Sequence, residues 1–148
     1  MQNSITREQI VSEARRWIGT PYQHQASLIH VGCDCLGLVR GVWRACVGPE
    51  PQIVAPYSPD WAEASREERL AGAGFKYFTP VDVTQFEAGD VLLFRWRPDL
   101  PAKHAAIATS SSSMVHAHDG ASVVEVPLID WWRRRLSHAF AFPLGPGR

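Results

Sequence analysis

The sequence lacks the features that would assign it to several large classes. It has only three cysteines, Cys33, Cys35 and Cys46. An odd count with two of them a single residue apart does not build a disulfide framework, so reduced thiols are expected. No apolar run approaches the roughly 20 residues of a membrane span. The segment from Met1 to Arg16 is polar and charged and has no apolar core of a secretory signal. Net charge is absent too: 15 Lys and Arg balance 15 Asp and Glu. That balance offers no general attraction to nucleic acid or to an anionic membrane. There is no internal repeat and no long linker. The one local run of charge, Arg133–Arg135 after Trp131 and Trp132, reads as the solvated face of a short helix, with an acidic partner as the alternative.

What is present is an ordinary globular composition, 45% hydrophobic over 148 residues. This is one domain's length, with enough apolar surface to bury a core. Thr6-Arg7-Glu8-Gln9 reads as a capping box. Ile10, Val11, Ala14, Trp17 and Ile18 follow at helical spacing until Gly19 ends the run. After an irregular stretch from Tyr22 to Val31, Cys35, Leu38, Val39, Val42, Trp43 and Cys46 again recur at helical spacing. They predict a second helix from about Asp34 to just before Gly48, with Cys35 in its first turn. Gly48–Pro59, with four prolines, reads as a loop. Trp61–Leu70 reads as a short helix capped by Asp60. The remainder reads as strands at Asp90–Arg95, Ala105–Thr109, Met114–His118, Ser122–Val126 and Ala139–Pro143, with Asp119-Gly120 as a hairpin signal. Helices followed by a meander of strands indicate an α+β fold with an antiparallel sheet, in a single domain spanning 1–148.

Cys35 is the candidate nucleophile. A thiolate reacts where a thiol does not, and a helix N-terminus or a nearby imidazole favours the thiolate. The Gly32–Gly37 frame and the polar Asp34 suggest an exposed turn. Cys46, without such a frame, reads as core, and Cys33 as either. Among the histidines, His104 opens a strand and can face a helix terminus as general base. His116 stands 12 residues later across a turn at Ser110–Ser113, where it can orient His104 as the third member of a triad. His118 is an alternative orienter on the same strand face. A zinc site from Cys33, Cys35, His116 and His118 is conceivable, but Cys-x-Cys with His-x-His fits no standard finger spacing. No cofactor or metal is expected.

Gly19-Thr20-Pro21-Tyr22, Asp34-Cys35-Leu36-Gly37-Leu38-Val39, Gly89-Asp90-Val91-Leu92-Leu93-Phe94, His104 and Val115-His116-Ala117 occur in this order. Together they resemble the NlpC/P60 family of cysteine peptidases over nearly the whole chain. The resemblance implies a compact papain-like α+β fold. It implies cleavage of peptidoglycan stem peptides, commonly between D-γ-glutamate and diaminopimelate or lysine. By motif, Cys35 matches the nucleophile, His104 the base and His116 the orienting residue. Tyr22 matches a tyrosine lining the site, and Asp34 an acidic residue close to the substrate amine. The chain departs from the pattern at Leu36, where serine is usual, at Gln23-His24-Gln25-Ala26 in place of Gly-Gly, and at Ala105-Ala106-Ile107 after the histidine. With no signal peptide expected, the Gly32–Trp43 stretch resembles the branch encoded among tail genes of phages and gene transfer agents. That implies synthesis in the bacterial cytoplasm, incorporation in a tail beside other tail or baseplate proteins, and action on the cell wall. The rival expectation is a structural tail or baseplate component that kept the fold and lost the reaction, docking through Trp131–Leu136. A third is amidase or acyl-transfer chemistry at the same site.

Overall fold

The structure is a computed structural model that describes residues 5–51 and 68–144. Helix α1 spans Arg7–Arg16 and opens with the reciprocal cap that Thr6 and Gln9 predict: Gln9 N–H donates to Thr6 Oγ1 at 3.1 Å and Thr6 N–H to Gln9 Oε1 at 2.9 Å. Two short strands, β1 (Ser27–Leu28) and β2 (Gly32–Cys33), form an antiparallel ribbon that leads into α2 (Cys35–Cys46). Beyond residue 67 come α3 (Arg69–Tyr77), β3 (Thr79–Val81), β4 (Val91–Phe94), β5 (His104–Ser110), β6 (Ser113–His116), β7 (Val124–Pro127), the short α4 (Asp130–Arg133) and β8 (Leu136–Ala141). Strands β3 to β8 form one antiparallel sheet in the order β3-β8-β4-β5-β6-β7. The fold is therefore α+β, with helices on an antiparallel sheet.

The alternation along β4 and β5 sorts side chains to two faces. Val91, Leu93, Ala105 and Ile107 pack toward the helices, against Ile10, Ala14, Leu38 and Val42. Leu92, Phe94, Ala106 and Ala108 build a second core on the other face, with Met114 and Leu128. The helices sit close because Gly41 faces Trp17: a Cβ there would lie 2.0 Å from the indole. Arg7 ties α1 to the start of β4 through the buried Asp90 carboxylate, at 2.6 Å.

Several expectations need correction. The segment before Cys35 is not wholly irregular, since β1 and β2 pair within it; strands this short carry no periodic signal. Helix α3 was missed because Gly72 and Gly74 break its propensity. Gly74 is required by packing, since a Cβ there would meet the Phe140 ring at 2.4 Å. Of the expected helix Trp61–Leu70, the Asp60 cap and residues 61–67 lie outside the described residues, as does most of the Gly48–Pro59 loop, while its last two residues, Arg69 and Leu70, open α3. Asp119-Gly120 does not close a tight hairpin. It turns within a longer connection from His116 to Val124, pinned by Val123 N–H donating to the Thr20 carbonyl at 2.9 Å. Ile18 lies past the end of α1 and is exposed, and Cys46 is only half-buried at the end of α2.

Candidate active site

Asp34 is the N-cap of α2, and this fixes where Cys35 sits. Its Oδ1 accepts from Gly37 N–H at 2.7 Å, and its Oδ2 accepts from Gln25 N–H at 2.6 Å. The residue is 3% exposed, so the sequence expectation of an exposed turn is wrong. A carboxylate tolerates this burial because both oxygens receive backbone donors. The contact also holds Gln25 at φ 66°, a left-handed conformation rare for a residue with a side chain. The Gln25–Ala26 turn then lies directly on the helix start: a Cβ on Gly37 would come within 1.9 Å of the Ala26 carbonyl oxygen. Glycine at 37 is thus demanded by close approach.

Cys35 occupies the first residue of α2, and Cys33, two residues earlier in β2, is turned into the core. The Cys35 Sγ lies 3.8 Å from the Lys103 carbonyl. Burial first, and then the Asp34 charge, push its thiol up to about 12, while the N–H groups of Ala105, Leu36 and Cys35 itself act in the opposite direction. The helix N-terminus therefore does not make a resting thiolate here; desolvation outweighs it.

His104 is the first residue of β5 and is 4% exposed. Its Nε2 lies 2.9 Å from His116 Nδ1, so the hairpin joins the two rings by a hydrogen bond. His118 lies beyond the end of β6 and is exposed. It approaches His104 edge-on with ring centres 5.5 Å apart. His116, not His118, thus holds the hydrogen-bonding position. Burial, and then the neighbouring histidines, hold His104 well below the ordinary imidazole range and bring His116 down to about 4. Both rings rest neutral at pH 7. The Sγ contact is with the Lys103 carbonyl rather than with the His104 ring, so Cys35 and His104 share a cleft without a hydrogen bond between them. Tightening on substrate binding is common for such pairs.

The cleft, about 110 Å³, is lined by Cys35, His104, Tyr22 and Asp34, all anticipated from the sequence. His24, Trp96, Lys103, His118 and Asp119 also line it. The Tyr22 hydroxyl is pushed up to about 12, by burial first and then by Cys35 and acidic neighbours, and so stays a proton donor. Trp96 is both packing residue and cleft wall: it stacks on His104 at 5.4 Å. Its loop is fastened by the Arg95 guanidinium, which donates to Glu68 and to the Leu100 carbonyl. Sequence reasoning missed His24 and Asp119 as cleft residues. His24 was legible only as a departure from a glycine pair, and Asp119 only as a turn former. The Trp131–Leu136 tract is not simply a solvated face. Trp132 packs on His104, Arg133 donates to the carbonyls of Leu128 and Ser111, and Arg135 lies over the Trp131 ring at 3.7 Å. The four residues of the conceivable zinc site do not assemble: among the described residues, no group of three or more His, Cys, Asp or Glu is placed to hold a metal ion. Nor is any helix among them long and apolar enough to cross a membrane.

The same arrangement of layers recurs in solved structures. The NlpC/p60 domain of the peptidoglycan hydrolase SagA is similar with a TM-score of 0.65 and 25% identity, over 93% of this chain and 100% of that one. The chain has the NlpC/P60 fold. An NlpC/P60 family protein from Bacillus cereus matches at TM-score 0.68 and 17% identity, over 97% of this chain and 42% of that protein. NlpC2 from Trichomonas vaginalis matches at TM-score 0.64 and 14% identity, over 96% of this chain and 48% of its own. These last two share the fold, and this chain spans less than half their length. No family model matches the sequence, and no curated protein matches it. In these comparisons the NlpC/P60 likeness is thus one of structure.

Proposed function

We propose that this chain is a cysteine peptidase acting on peptidoglycan stem peptides. The observation that carries the proposal is the convergence, on one cleft, of a thiol at a helix start and His104, with His116 hydrogen-bonded to His104 outside the cleft lining. The likeness to a peptidoglycan hydrolase domain over its full length supports the substrate class. The finer reading is a D-γ-glutamyl–diaminopimelate bond as target, and delivery on a phage-like or gene transfer agent tail among other tail proteins. It rests on the sequence motifs.

The chemistry follows from the proton inventory. For His104 Nδ1 to accept a proton, its Nε2 must carry the ring hydrogen and donate it to His116 Nδ1. A neutral His116 accepts that bond, and its lowered basicity keeps it neutral. As Sγ of Cys35 bonds to the amide carbon, its proton passes to His104. The oxyanion takes the backbone N–H of Cys35, with the protonated Tyr22 hydroxyl as a second donor. His104 then protonates the leaving amine, and the C–N bond breaks. Water, giving its proton to His104, attacks the thioester and frees the new carboxylate and the thiol.

The test is mass spectrometry of purified sacculi digested with wild type and with Cys35→Ala. New stem-peptide fragments from wild type alone are expected, and their masses identify the bond. One observation favours a second reading, a structural tail component with a silent site: the Cys35 Sγ contacts the Lys103 carbonyl rather than the His104 ring. Folded, reduced wild type that releases no fragments would decide for that reading.

A further inference from the structure

The base carries an aromatic shell beyond what the hydrogen-bonding pair requires. The rings of Trp96 and Trp132 each stack on His104 with centres 5.4 Å away, inclined by 25° and 27° respectively. Trp132 also meets His116 edge-on at 5.1 Å, and Phe94 packs against both His104 and Trp132. The two indoles come from different elements, the loop after β4 and helix α4. They lie 8 and 28 residues from His104 in sequence.

The stacked arrangement differs in value between the two states of the imidazole. Against a neutral ring it is packing. Against an imidazolium it is a cation over the negative face of a π-system, within the roughly 6 Å over which that attraction is felt. Water cannot stabilise the charge here, because His104 is 4% exposed. Around the ring stand His116 as hydrogen-bond acceptor, the two indoles with their own centres 6.1 Å apart, Phe94 and, edge-on, His118. We propose that Trp96 and Trp132 are positioning residues that stabilise the His104 imidazolium formed when the Cys35 proton is transferred. This inference rests on His104 being the base of the proposed function. Interactions stronger in the charged state than at rest lower the barrier, not merely the energy of binding. Trp96 lines the cleft, where substrate would also touch it, whereas Trp132 is not part of the lining and can reach the reaction only through the rings it packs on, His104 and His116 among them.

The experiment uses Cys35 alkylation by iodoacetamide, followed at that residue by peptide mass spectrometry, beside sacculus hydrolysis. In alkylation the S–C bond forms, iodide leaves with its bonding pair, and the thiol proton passes to His104, so the reaction reads proton transfer without needing the natural substrate. Tryptophan at 132 is replaced by site-specific incorporation of singly to multiply fluorinated tryptophans, which keep the shape and weaken the ring face. The expected result is a stepwise fall in alkylation rate and kcat with fluorine count, KM unchanged. Trp132→Leu should be roughly 2- to 30-fold slower, and Trp132→Phe should regain most of the loss. A flat fluorine series, or Leu as active as Phe, would overturn the proposal and leave Trp132 a packing residue. A His104→Ala protein that alkylates as fast as wild type would overturn both this inference and the assignment of the base. A fluorine-dependent alkylation rate with no sacculus hydrolysis would support the inference while removing only the substrate reading.

Discussion

Replacing Asp34 by Ala separates two accounts of the residue beside Cys35. The family resemblance makes Asp34 a contact for the substrate amine, whereas the structure has both carboxylate oxygens bound to backbone donors of Gly37 and Gln25. Loss of an N-cap costs about 0.5–2 kcal/mol. The Gln25 N–H, left unpaired in a part-buried position, adds roughly 1–3 kcal/mol. Together these amount to about 2–4 kcal/mol, because part of each penalty is relieved by relaxation of the Gln25–Ala26 turn. For a domain of this size the midpoint should fall by roughly 5–15 °C. The assay is urea denaturation followed by tryptophan fluorescence, with a thermal melt alongside. Asp34→Asn should be destabilised as well, since one carboxamide atom is a donor and cannot accept from both N–H groups. Removing the charge also removes one cause of the raised Cys35 thiol, so folded Asp34→Asn should alkylate faster at Cys35 than wild type at the same pH. A change in stability below about 0.5 kcal/mol, with KM for a stem peptide sharply raised, would refute the capping argument and restore the substrate contact as the residue's main work.

Acid should destabilise the fold through its buried histidines. His116 stands near 4 in the folded state against 6.5 for a free imidazole, so the unfolded chain binds more protons between those values, and stability falls as pH drops from about 6.5 to about 4. The loss is about 3 kcal/mol from His116 alone, with His104 acting in the same direction; urea midpoints across that range, compared with His116→Phe, measure it. Gly41→Ala should cost about 1–3 kcal/mol or more, because its methyl meets the Trp17 ring; a midpoint matching wild type would show that α1 and α2 separate at little cost. Arg7→Met should cost about 3–5 kcal/mol by leaving the Asp90 carboxylate buried without its cation, and the loss should shrink at low pH, where the carboxyl takes up a proton.

The sequence by itself determined the local architecture around the chemistry. The Thr6–Gln9 cap and the spacing from Cys35 to Cys46 placed two helices and put Cys35 in a first turn. The strand segments placed His104 and His116 on either side of a serine-rich turn. These features come from short-range physics: capping, periodicity and turn chemistry act within a few residues and leave their mark on the order of the chain. What only the tertiary structure decided depends on desolvation and on contacts between distant segments. Asp34 reads as an exposed polar residue until Gln25 is folded onto it. Cys35 reads as a helix-start thiolate until the β5 strand and Lys103 close over it, at which point burial outweighs the dipole. His116 and His118 are equivalent by strand alternation, and they part because β6 ends at His116 and only its ring meets His104 Nε2. Trp132 lies 28 residues from His104 along the chain, and no periodicity signals that α4 lays its indole on that imidazole. Spacing sets which residues share an element; the packing of one element on another sets their charge state and their partners.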